Sequence, residues 1–258
     1  MSVTVIQNKT GQVPQGMSAD EWALRCDLAA VYQLSDMYGF SDMAGSHISA
    51  RVPGKEEHFL INPLGWMYDE ICASNLVKID LDGKNVDGTT TRVNQAGFVI
   101  HSAVHSARPD VQCVIHTHTA AGIAVSMMKC GLLPLSQHAQ FFYGAVAYHG
   151  YEGIALDTDE RQRLIADLGD KPVMILHNHG LLVTGETIPL AFSNLHTLER
   201  ACAAQVLAMN SKQELVFPPE EVSIKTRKQA SGAASSLQLA EWPALLRLVD
   251  RIDPSYKN

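Results

Sequence analysis

Capped helical segments alternate with short apolar runs along most of this chain, and that alternation constrains its fold more than any other feature. Ser18-Ala19-Asp20-Glu21 is a capping box, and it opens a helical pattern through Trp22, Cys26, Ala29, Ala30, Leu34 and Met37 that ends at Gly39. A strand-rich stretch follows. Residues 48–52 alternate, 59–61 form a short apolar run, and 76–81 alternate again before the turn pair Asp82-Gly83. Helical spacing returns over 96–107 and stops ahead of Pro109. Residues 111–118 read as a strand, with Val111, Cys113 and Ile115 on one side and Gln112, Val114, His116 and His118 on the other. A helix is expected over 119–129. Asp157 with Glu160 caps a short helix that stops at Gly169. Apolar strands are expected at 173–176 and 181–183, and Thr187 caps a long helix to about Met209 with Pro189 in its first turn. This order argues for a three-layer α/β/α domain. Residues 1–16 read as a loose N-terminal arm and 17–212 as the domain. Residues 213–258 read as a C-terminal helical appendage, packed on the domain or on a neighbouring subunit.

Composition narrows the function classes. The net charge is −7 and no basic stripe is present, so nucleic acid is a poor partner. No apolar run approaches the ~20 residues of a membrane span. Five scattered cysteines, none in a C-x-x-C pair, argue against a disulfide framework and fit a cytoplasmic, reducing compartment.

Histidine is the conspicuous residue. Of eleven in the chain, eight fall between His101 and His179. His116-Thr117-His118 is the sharpest local signal, because strand period two puts both imidazoles on one face, within reach of a single ion. Two histidines at a strand end that bond loops and water are the plainer reading. A third ligand would come from His177-Asn178-His179-Gly180, a tight connection between two apolar strands in which Gly180 allows the reversal. Either His177 or His179 could point toward the pair.

Taken together, these segments resemble the class II aldolase/adducin family. The likeness runs through Val111–His118, Asn178–Val183, Gly45–Val52, and Asn94–His101 followed by Ala107–Asp110. The resemblance implies that His116, His118 and His179 hold a divalent metal, with zinc first and manganese, iron or cobalt as alternatives. It implies a central mixed, largely antiparallel sheet of nine strands between helices. It also implies a homotetramer with active sites at subunit interfaces.

The chain departs from the sugar-phosphate aldolases of that family. The position of the family's acid/base glutamate, counted back from His116, falls on Gly97. Its two phosphate-side serines fall on Gln95 and Ala96, and the usual asparagine of the early strand is His47. A Ser-Gly turn is replaced by Pro63-Leu64-Gly65. What remains is three neutral imidazoles around a Lewis acid. That centre suits a metal-dependent lyase, of aldolase or decarboxylase type, acting on a small non-phosphorylated oxo- or hydroxy-acid through a stabilised enolate. The enolate needs a proton donor. His101, one helical turn after Gly97, is a candidate, as are His138 and Tyr143 in the segment the family places near an adjoining subunit. Glu199 on the long helix reads as structural. The alternative is a non-catalytic, adducin-like metal-binding interaction module, for which Gly97 speaks. An all-β cupin with an H-x-H site is disfavoured by the capped helices.

Overall fold

The computed structural model describes residues 13–54, 56–153, 159–231 and 235–258. Helix α1, Ala19–Met37, starts where the capping box places it, with the Ser18 hydroxyl accepting from the Glu21 amide. Glu21 does not complete the box. Its carboxylate turns to Arg25 and Lys78 instead. The strands are β1 (His47–Arg51), β2 (Phe59–Ile61), β3 (Val77–Ile79), β4 (Cys113–Thr117), β5 (Val146–His149), β6 (Val173–Leu176) and β7 (Gly180–Gly185). The further helices are α2 (Gln95–Ala107), α3 (Ala120–Ser126), α4 (Gln137–Gln140), α5 (Glu160–Leu168), α6 (Ile188–Asn210), α7 (Glu220–Gln229) and α8 (Ser235–Ile252).

The seven strands form one sheet in the order β3-β2-β1-β4-β7-β6-β5. Every pair is antiparallel except β5 with β6, so the sheet is mixed and largely antiparallel. Nine strands were implied by resemblance; seven are present among the described residues.

Side-chain alternation builds the three layers. Ile48, Ala50, Cys113, Ile115, Ile175, Leu181 and Val183 face a core shared with α1, α6 and α8. Phe59, Ile61, Val114, Met174 and Leu182 face a second core against α2 and α5. Each fully buried aliphatic side chain contributes roughly 1.5–3 kcal/mol by leaving water. Val111 precedes β4 and joins the second core with Val114, not the Cys113 side that alternation suggested.

Asp159 occupies the N-cap position of α5, while Asp157 lies outside the described residues. Residues 1–12 of the expected N-terminal arm do so as well. Helix α7 rests on α4, and α8 rests on α1 and α6. Among the described residues no helix is long and apolar enough to cross a membrane.

Candidate metal centre

The register of β4 fixes the site. Val114 and His116 share the face toward α2 and α5, and His116 pairs with His47 on β1 and with Leu182 on β7. His118 follows the strand end, two residues on, and keeps the same side. Beyond β6 the chain reverses through His177, Asn178 and His179. The reversal sits at Asn178, whose φ of 57° is the left-handed conformation that asparagine tolerates. Gly180 serves a different need from the reversal expected of it. A Cβ there would stand 2.3 Å from the Thr117 carbonyl oxygen, so only glycine lets β7 begin this close to β4.

These two local structures bring three rings to one point. His116 Nε2 stands 2.8 Å from His118 Nε2 and 3.2 Å from His179 Nε2, and His118 Nε2 stands 3.0 Å from His179 Nε2. His177 turns away, with Nδ1 at 3.0 Å from the Ser126 carbonyl oxygen. Of the two histidines left open by the sequence, His179 is the one that converges.

The other ring nitrogens settle the tautomers. His116 Nδ1 lies 2.8 Å from the Leu181 carbonyl oxygen, and His118 Nδ1 lies 3.0 Å from Asp42 Oδ2. Both partners accept, so both Nδ1 atoms donate, and each Nε2 carries a bare lone pair. Two bare lone pairs 2.8 Å apart repel each other unless a cation lies between them. Zinc with nitrogen ligands at ~2.0–2.1 Å in tetrahedral geometry sets those nitrogens ~3.3 Å apart, close to the spacing here. The residues therefore fit a divalent ion. Burial holds His116 well below the usual imidazole range, and His47, His118 and His179 add to the effect. Burial, then His118, lowers His179 to about 4. His116 and His179 are thus neutral and ready to ligate at neutral pH.

A cavity of about 500 Å³ opens beside the three nitrogens, lined among others by Asp42, His47, Asn94, Tyr151 and Asn178. His101 does not line it. That ring is fully buried on α2, with Nε2 at 2.9 Å from His47 Nδ1, so it meets the cavity through His47. The His47 ring also explains Gly97. A Cβ on residue 97 would fall 2.5 Å from His47 Cδ2. No side chain can start at 97 while that imidazole is in place.

His138 is exposed on α4, and the Tyr143 hydroxyl donates to Glu220 on α7 at 3.2 Å. Neither lines the cavity. On the opposite face of the His-Thr-His strand, Glu199 of α6 accepts from Thr117 Oγ1 at 3.0 Å and from Thr119 Oγ1 at 2.6 Å. Asp42 and His47 were missed as site residues by sequence reasoning. His47 carried a usable signal, a polar ring on a buried strand, whereas the loop residue Asp42 carried none.

Residues 26–206 match the family model for the Class II Aldolase and Adducin N-terminal domain. A Pseudomonas aeruginosa protein with a provisional class 2 aldolase name is 48% identical over 99% of this chain and 100% of its own length. Alpha-adducin of Rattus norvegicus is 42% identical over 97% of this chain, but the match takes in only 36% of adducin itself. Among solved structures, an aldolase II superfamily protein from Pseudomonas syringae gives a TM-score of 0.90 at 53% identity, covering 96% of this chain and 100% of that one. The L-fuculose 1-phosphate aldolase of Glaciozyma antarctica PI12 gives 0.82 at 29% identity, covering 96% and 97%.

Proposed function

The chain belongs to the class II aldolase and adducin family, and from that premise we propose that it is a metal-dependent carbon–carbon lyase, of aldolase or decarboxylase type, for a small non-phosphorylated oxo- or hydroxy-acid. One observation carries the reading. Two imidazoles present bare nitrogens to each other at 2.8 Å, with a third imidazole beside them and an open cavity in front. A divalent ion held there by His116, His118 and His179 supplies the Lewis-acid charge that stabilises an enolate. Zinc is the first metal to try for three imidazoles, with manganese, iron and cobalt next.

The chain's own residues do the rest. Leu181 and Asp42 orient the ligand rings. Asn94, Asn178 and His47 offer polar contacts to an acid in the cavity. The replacement of the phosphate-side residues favours an acid without a phosphate. For the proton donor, His101 works through His47, and His138 and Tyr143 reach a site from a neighbouring copy. The same reading takes the molecule as a cytoplasmic homotetramer with active sites between subunits.

The test is direct. Protein loaded with zinc, manganese or cobalt is screened with small oxo- and hydroxy-acids for release of pyruvate, an aldehyde or carbon dioxide. Turnover that His116→Ala leaves unchanged removes the metal mechanism. A non-catalytic metal-binding interaction module is the second reading. It is favoured by the identity to alpha-adducin, 42%, against 29% to the named fuculose phosphate aldolase. A metal-loaded protein that turns over no acid in that screen supports it.

A further inference from the structure

One wall of the cavity is backed by a line of buried polar side chains. His47 Nδ1 stands 2.9 Å from His101 Nε2. His101 Nδ1 stands 2.6 Å from Ser49 Oγ, and Ser49 Oγ stands 2.8 Å from His105 Nε2. All four residues are buried. Three imidazoles in a core that apolar residues would fill more cheaply demand a reason, and their mutual hydrogen bonds only limit the cost. The line has a deep end at His105 and an open end at His47, which lines the cavity beside His116 and His118. His47 Nε2 makes no hydrogen bond among the described residues. Gly97 leaves that nitrogen uncovered, since a Cβ there would lie 2.8 Å from Nε2 itself.

We infer that His47 Nε2 hydrogen-bonds an oxygen of the small acid bound at the histidine triad and thereby selects which acids the site accepts. This rests on the proposed small-acid reading. Each neutral ring has one N–H and Ser49 has one O–H, so donors and acceptors along the line run in a single sense. For Nε2 to change between N–H and lone pair, the whole line must reverse. The ligand therefore meets a partner whose position and kind are set before it arrives, which reduces the ordering cost of binding. A hydroxyl next to the carboxylate can satisfy that nitrogen in either sense of the line, and an oxo group can do so when Nε2 carries the N–H. An acid with a plain alkyl group there leaves it unpaired, at the cost of a buried polar group.

The experiment is calorimetric titration of zinc-loaded protein with glycolate and with propionate, which has an alkyl group where glycolate has its hydroxyl. Wild type should bind glycolate at least tenfold more tightly than propionate. His47→Phe and the smaller His47→Asn should keep the zinc, measured by metal analysis, and lose most of that preference. Ser49→Ala, which cuts the line behind His47, should lose part of it. In wild type, nitrogen-15 resonances of His47 should move on addition of glycolate, a readout that needs no variant. An unchanged preference in zinc-loaded, folded His47 variants, or unmoved His47 resonances at saturation, overturns the inference alone. Wild type that binds neither acid removes the small-acid reading, and the inference with it.

Discussion

Asp42 Oδ2 stands 3.0 Å from His118 Nδ1 and turns the opposite nitrogen of that ring toward His116 and His179. A carboxylate behind a ligating imidazole fixes its tautomer and raises its basicity, and losing such a partner typically costs about 10–100-fold in metal affinity. Asp42→Ala should weaken zinc binding by that factor, measured by competition with a chelating dye, while the circular dichroism spectrum stays that of wild type. An affinity within twofold of wild type would show that Leu181 and β4 alone orient the site.

The triad itself makes a stronger demand. His116→Ala and His179→Ala each leave two imidazoles, which hold an ion far less well than three. Purified variants should carry almost no zinc after dialysis against a weak chelator, when wild type retains one equivalent per chain. Retention of a full equivalent by either variant would place the ion elsewhere.

Much of this could be read from the chain before any coordinates. The Thr187 cap, the Pro189 first turn and the apolar strand at 173–176 fall where local physics puts them. The period-two spacing of His116 and His118 placed both rings on one side, because a buried strand has two faces and no other choice. What was illegible depends on contacts between distant segments. Asp42 reaches His118 across the fold from a loop with no pattern of its own. Strand β5 is four residues with a half-exposed edge, and only parallel pairing with β6 makes it a strand. Helical spacing puts His101 on the same face as Gly97. That the His47 ring stands between it and the cavity follows from a hydrogen bond that spacing does not reveal.

Acid should loosen the metal-free fold in a defined window. Free histidine titrates near ~6.5. Burial, then the neighbouring Arg51 charge, pushes His105 down to about 3, and His179 falls to about 4. His47, His101 and His116 move in the same direction, chiefly through burial. Each of these groups takes up its proton more readily in the unfolded chain. Stability is therefore whole above roughly pH 6.5 and drains away as the pH falls toward about 3. The Tm of metal-free protein should drop steadily below pH 6.5, with a shallower slope in His105→Gln. A level Tm across the window would contradict the neutral, buried assignment.

Glu199 joins the long helix to the strand that carries His116 from behind. It accepts from Thr117 and Thr119, and the Thr119 hydroxyl also accepts from the Gly122 amide as the cap of α3. Glu199→Ala leaves both hydroxyls without their acceptor, a cost of about 1–3 kcal/mol for the buried Thr117 hydroxyl and less for the half-buried Thr119. Glu199→Gln keeps one acceptor oxygen and should lose less. Thermal denaturation orders the two, and equal losses would mean that packing, not hydrogen bonding, fixes this contact.

Gly180 offers the sharpest test of how closely β7 must approach β4. A Cβ at this position would meet the Thr117 carbonyl oxygen at 2.3 Å and the His118 ring at 3.1 Å. The first obstacle is backbone inside a sheet, so it cannot swing aside. Relief requires the strands to part where Thr117 pairs with Leu181, the residue whose carbonyl orients His116. Overpacking of this kind costs about 1–3 kcal/mol, and here the movement also carries His179 away from His118. Gly180→Ala should therefore lower both Tm and zinc affinity. Gly150→Ala is the control, since nothing lies within 4 Å of its Cβ position, and it should stay within about 0.5 kcal/mol of wild type. If Gly180→Ala lowers Tm while zinc affinity is untouched, the strand contact and the ligand geometry are independent, and the link drawn between them fails.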